Sequence, residues 1–94
     1  MKASAEIKAD HARFCRVMWE ATKLRWRKVQ DYGRSYRNFG ALGVAVRMSD
    51  KMARITNLLK NKQAPNNESL RDSAIDLINY SAMLVMLLDE ESRK

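Results

Sequence analysis

Apolar residues recur along this chain at steps of three and four, and the runs break where glycine and proline stand. From about residue 5 to 30 there is no breaker. Ile7, His11, Phe14, Met18, Thr22, Arg25 and Val29 fall on one line there, with Cys15, Trp19 and Trp26 widening it. That period is the helical one. Asp31-Tyr32-Gly33 closes the run, and Gly33 can take the positive φ that a helix C-terminus often requires. A second helix is predicted from about Ala41 to Asn61, with Val44 or Ala45, Met48, Met52, Ile55 and Leu59 as its apolar line.

Gln63 to Asn67 reads as a loop around Pro65, the only proline. Asn66 or Asn67 suits the cap of the next helix, and Glu68 suits its first turn. The third helix is predicted from about Glu68 to Glu90. Leu70, Ala74, Leu77, Ser81, Leu84 and Leu88 make one apolar line, and Ile75, Ile78, Ala82, Val85 and Met86 a second. Its C-terminal half is thus apolar over most of its circumference, more than a helix buried on one side needs. The expected architecture is an all-α, three-helix antiparallel bundle. It forms a single helical domain over residues 1–94 and assembles into a homo-oligomer largely through the third helix.

Composition adds limits. Ninety-four residues of mixed charge and ordinary apolar content describe one folded domain near the size where a single core stabilises only marginally. The lone cysteine, Cys15, has no intramolecular disulfide partner, and among Phe14, Val17 and Met18 it reads as a small buried hydrophobe in a reducing compartment. Residues 1–10 lack the apolar run of a signal peptide, and Leu77 to Leu88 is too short to span a bilayer. A soluble, cytoplasmic chain without a membrane partner is expected.

Charge is regional. Residues 23–62 carry eleven basic side chains against Asp31 and Asp50, a net +9, whereas residues 1–22 net +1 and residues 63–94 net −3, within a total of +7. The excess surrounds the turn Asp31-Tyr32-Gly33-Arg34-Ser35-Tyr36-Arg37. A focused positive field beside two tyrosines matches what a phosphate-bearing aromatic ligand needs, although charge runs also arise as plain solvated helix faces. Arg47, Lys51 and Arg54 share a face of the second helix at i, i+4 and i+7.

Polar residues also intrude on the third helix, where Glu68, Asp72, Asp76 and Asn79 form a line. Asp76 and Asn79 lie inside its apolar half, so Asp76 must be paired, most naturally with Lys51 or Arg54. Three readings of the line stay open. It is a structural ion-pair network, a set of oxygen ligands for Mg²⁺ together with Asp50, or a support that orients Arg47, Lys51 and Arg54 toward a phosphorylated ligand. His11, the only histidine, reads as a hydrogen-bonded core residue, and Trp19 and Trp26 as core. One histidine and one cysteine make no zinc site, and the glycines match neither a P-loop nor a dinucleotide fingerprint.

Three blocks in order, Lys28 to Tyr36 (KVQDYGRSY), Arg47 to Ile55 (RMSDKMARI), and Glu68-Ser69 with Asp72 and Asp76 to Tyr80, resemble the nucleotide-modification-associated domain 1 family of phage and bacterial proteins. The resemblance covers about residues 28–88 and implies a phage-related, nucleotide-linked role, in the host cytoplasm if the chain is phage-encoded. More distantly, the helical layout is similar to the MazG-like all-α nucleoside triphosphate pyrophosphatases. Those enzymes set acidic pairs on two neighbouring helices around Mg²⁺. This chain departs from that pattern, with only Asp50 opposite the acidic line and Ala53 where a second acid belongs.

Two functions follow. The first is a binding protein that sequesters a phosphorylated nucleotide or nucleotide-derived immune signal without turnover and without a cofactor. Its ligand-binding residues would be Tyr32, Arg34, Tyr36, Arg37, Arg47, Lys51 and Arg54. The alternative is a Mg²⁺-dependent pyrophosphatase or nucleotide-modifying enzyme using Asp50, Glu68, Asp72, Asp76 and Asn79. Nucleic acid is the poorer partner, because the acidic last helix interrupts the basic surface.

Overall fold

The computed structural model of the protein describes residues 4–61 and 67–93, the side chains of 67–69 excepted. Three helices account for nearly all of them: α1 (Ala5–Tyr32), α2 (Gly40–Asn61) and α3 (Asn67–Ser92). A single 3-10 turn, Ser35–Arg37, lies between the first two. No strand occurs among the described residues, and the fold is an all-α bundle. Of the expected loop, residues 63–66 lie outside the described residues, the Asn66 cap with them, whereas Asn67 is the first residue of α3 rather than part of a loop.

Local chemistry explains the boundaries. Ser4 caps α1, its hydroxyl oxygen accepting the Ile7 backbone N–H at 3.2 Å, with Glu6 in the first turn where the helix dipole favours an acid. At the other end Gly33 takes φ 57° and donates its N–H to the Val29 carbonyl at 2.8 Å. The chain then re-enters a helix through Phe39 and Gly40, at φ 67° and 64°. Gly43 is required by space, since a Cβ there would lie 2.8 Å from both the Asn38 carbonyl oxygen and the Phe39 Cβ.

The main pairing is α2 against α3. It is antiparallel, because Arg37, just before α2, reaches Glu90 near the end of α3, while Lys51 in mid-α2 reaches Asp76. Val44 of α2 and Ile75 and Leu87 of α3 are buried, and Met48 and Ile55 are half-buried. Met52 and Leu59, on the expected apolar line, are exposed. Helix α1 touches α3 over a shorter stretch centred on Ala21, which is 1% exposed. There the Asn79 Nδ2 donates to the Ala21 carbonyl oxygen at 3.0 Å, and Arg71 makes a two-pronged ion pair with Glu20.

The core is small as a result, and several expected core residues are not in it. Trp19 and Trp26 are 61% and 66% exposed, and His11, Phe14 and Cys15 are exposed as well. His11 stacks beside Phe14, and its Nε2 lies 3.6 Å from the Cys15 sulfur. The physical reason is coverage: α3 and the Ser35–Arg37 turn reach only one side of the C-terminal half of α1, and the flank bearing Trp19 and Trp26 stays bare among the described residues. Among the described residues no helix is long and apolar enough to cross a membrane.

Candidate functional site

All three helices converge on one pocket of about 310 Å³, and each contributes by helical spacing. Arg25, Lys28 and Tyr32 recur at i, i+3 and i+7 along α1 and so project from one face into it. Gly33, Ser35 and Tyr36 of the following turn close one side. Arg47 and Lys51, at i and i+4, enter from α2. Asp76, Asn79, Tyr80 and Met83 enter from a single face of α3. Four cations therefore face one carboxylate, a net lining charge of +3, beside three tyrosines.

Asp76 organises the charges. Its Oδ1 accepts from Lys28 Nζ at 2.8 Å and its Oδ2 from Lys51 Nζ at 3.0 Å, with the Asp76 side chain only 16% exposed. Burial alone pushes this carboxyl up, but hydrogen bonds from Lys28 and Lys51 outweigh it and hold Asp76 below the usual carboxylate range. Asp76 thus stays ionised, and the two lysines are held in place on either side of it. Arg25 is set differently. Its guanidinium lies 5.8 Å from the centroid of the Tyr36 ring, and its Nε is shielded from solvent without a hydrogen-bond partner. The stacking ties the turn back onto α1.

Of the residues singled out in the sequence, Tyr32, Tyr36, Arg47, Lys51, Asp76 and Asn79 meet in this pocket. The expected coupling of Asp76 to α2 is found, through Lys51. Asn79 is used structurally, on the Ala21 carbonyl. Arg34 and Arg54 do not line the pocket. Arg37 turns away to Glu90, its Nη1 donating to Oε1 at 2.6 Å, and Glu90 and then Tyr36 raise its already high pKa. Asp50 and Asp72 are exposed and lie outside the pocket, while the Glu68 side chain falls outside the described residues. Among the described residues no three of His, Cys, Asp and Glu come together.

Sequence reasoning missed Arg25, Lys28, Tyr80 and Met83 as lining residues. A signal for the first two was present: the i, i+3, i+7 row Arg25, Lys28, Tyr32 runs straight into the basic turn. Tyr80 and Met83 follow from Asp76 by the same spacing once that residue is known to face inward.

No curated protein and no solved structure matches the chain. The profile of one family does, described as nucleotide modification associated domain 1, and it spans residues 28–88. Every lining residue of the pocket except Arg25 falls inside that span. With about two thirds of its length matched, and the three blocks in order within it, the chain belongs to the nucleotide modification associated domain 1 family.

Proposed function

We propose that this pocket binds a phosphorylated nucleotide and retains it without turnover. One observation carries the reading: Arg25, Lys28, Arg47 and Lys51 share a cavity with Tyr32, Tyr36 and Tyr80, and its single carboxylate is already engaged by two ammonium groups. The volume lies at the small end of the roughly 300–1,000 Å³ typical of small-ligand sites. Arginine guanidinium groups bind phosphate oxygens, often two at a time, and tyrosine faces stack on a base. Lys28 and Lys51, fixed by Asp76, add positive charge at no further cost in side-chain ordering.

The family membership supports a nucleotide as the ligand. In a phage, retention of this kind would withdraw a nucleotide-derived immune signal of the host. The working unit in this reading is a homo-oligomer in the cytoplasm, supported by the uncovered apolar residues of α1 and α3.

The test is incubation of the full chain with a panel of nucleotides and cyclic nucleotides, with and without Mg²⁺, followed by heat release and chromatography. Depletion of one ligand and its intact recovery are expected. A new product would overturn retention and favour the Mg²⁺-dependent enzyme. Calorimetry then assigns the site: Arg47→Ala and Tyr80→Ala should each weaken binding at least tenfold, and added salt should weaken it further. Unchanged affinity in both folded variants would place the site elsewhere.

A further inference from the structure

The chain exposes far more surface than its mass requires. A folded monomer of 10.9 kDa presents about 5,600 Å² by the usual surface–mass relation, and this chain presents 7646 Å². Its radius of gyration is 15.9 Å, where about 12–13 Å is usual for 94 residues. The excess, roughly 2,000 Å², exceeds the roughly 800 Å² per partner of a standard interface.

Among the described residues α1 carries more bare large apolar side chains than any other element, seven of fifteen. All of residues 4–18 are exposed, and Trp19 is as well, so the first half of the helix is largely uncovered. A lone helix of that length is marginal in water. Its exposed residues are not scattered. At 100° per residue, Ile7, Phe14, Met18, Trp19 and Trp26 fall within about 140° of one another, on the flank beside the one that meets α3, and Val17 lies off that arc. The two tryptophans also border an open, largely apolar groove of about 790 Å³ whose far wall is Ile78 and Ala82 of α3.

We propose that this flank of α1 seats a second copy of the chain, the two α1 helices packing antiparallel about a two-fold axis between Cys15 and Met18. The inference rests on the oligomeric reading above and says where the interface is: on α1 rather than mainly on α3. The spacing makes the surface self-complementary. Ile7 and Phe14 are seven residues apart, as are Trp19 and Trp26, and seven residues span about 10.5 Å of helix. In the antiparallel register Ile7 of one copy stands level with Trp26 of the other, and Phe14 level with Trp19. Each copy then fills the groove of the other, a closed arrangement that leaves no repeating edge.

Charge does not bar a second copy. The seam, residues 7–26, carries Lys8, Arg13, Arg16, Lys23 and Arg25 against Asp10 and Glu20, a net +3 within a chain of +7. Two such segments repel one another modestly, and physiological salt screens the repulsion. The bare apolar flank, rather than its charge, points to a second copy.

Sedimentation of the full chain at micromolar concentration, with circular dichroism as a check on folding, tests this. A dimer or a multiple of it is expected for the parent. Phe14→Asp and Trp19→Asp should each raise the dissociation constant at least a hundredfold, while Val85→Asp on α3 should leave it within a few-fold. A monomeric parent overturns both the oligomeric reading and the interface. An oligomeric parent whose α1 variants keep its mass overturns the interface alone. Cross-linking checks the register even if a variant fails to fold. With a mild added oxidant such as oxidised glutathione to accept the two electrons, a parent chain carrying Cys15 should form a disulfide with a second chain carrying both Cys15→Ser and Met18→Cys. Absence of that mixed product in an oligomeric sample refutes the antiparallel arrangement.

Discussion

Replacing Asp76 by asparagine probes the contact that joins all three helices. The carboxylate accepts from Lys28 at 2.8 Å and from Lys51 at 3.0 Å, and asparagine keeps the shape while removing the charge and one acceptor. Burial sets the magnitude. Asp76 is 16% exposed, Lys51 30% and Lys28 48%, so neither pair is fully desolvated and neither is a free surface pair. A hydrogen bond to a charged group contributes about 1.5–3 kcal/mol and an exposed ion pair about 0.2–1 kcal/mol. Placing the Lys51 contact near the lower end of the first range and the Lys28 contact within the second gives about 1.7–2.5 kcal/mol together. For a chain this short that corresponds to a fall in Tm of roughly 10–20 °C.

The assay is thermal unfolding followed by helical circular dichroism, at one fixed chain concentration because self-association shifts Tm. Its pH dependence has a definite sign. The folded pKa of Asp76 is depressed, so its contribution is fully present above the unfolded value of about 3.9 and is lost as pH falls through the folded pKa. The gap between parent and Asp76→Asn should therefore be full at pH 7 and should close progressively below pH 3.9. A variant within about 0.5 kcal/mol of the parent at pH 7 would refute the reasoning, because surface substitutions alone stay inside that range. So would a gap that is the same at pH 7 and in strong acid.

Three further outcomes are expected. Asn79→Ala removes the donor to the Ala21 carbonyl and should cost about 0.5–1.5 kcal/mol in denaturant unfolding, with no larger loss than that. Gly43→Ala pushes a Cβ to 2.8 Å from backbone and side-chain atoms of Asn38 and Phe39, and overpacking of this kind should cost about 1–3 kcal/mol; a neutral result would mean the turn shifts freely. Arg37→Ala should lower stability through the lost Glu90 contact and leave nucleotide affinity within a few-fold, since Arg37 points away from the pocket; equal loss in calorimetry to that of Arg47→Ala would contradict this placement.

Much of the fold was legible in the residues themselves. Unbroken three-four periodicity from residue 5 onward, Gly33 at the positive φ that ends α1, and proline confined to position 65 leave little freedom but three helices. These are local effects, decided by backbone conformation and by which residues share a helical face. The need for Asp76 to be paired was also readable, because a carboxylate within an apolar stretch has few other options. Six residues of the pocket were named from the basic turn, the face of α2 and the line on α3.

What the sequence left open was which surface meets which. An apolar stripe states that a face prefers cover; it does not state that another helix arrives. Trp19, Trp26 and Phe14 share the periodicity of a core stripe yet remain uncovered, because α3 crosses α1 at Ala21 and reaches one flank only. The same crossing brings Lys28 to Asp76, a partnership forty-eight positions apart that no spacing rule reveals. Arg37 was similarly ambiguous within a cluster of like charges, and only the antiparallel register of α2 and α3, which brings Glu90 beside it, sends it away from the pocket. Periodicity acts through neighbours on one helix, whereas pairing depends on crossing positions between helices, and those are decided by the packing of the whole chain.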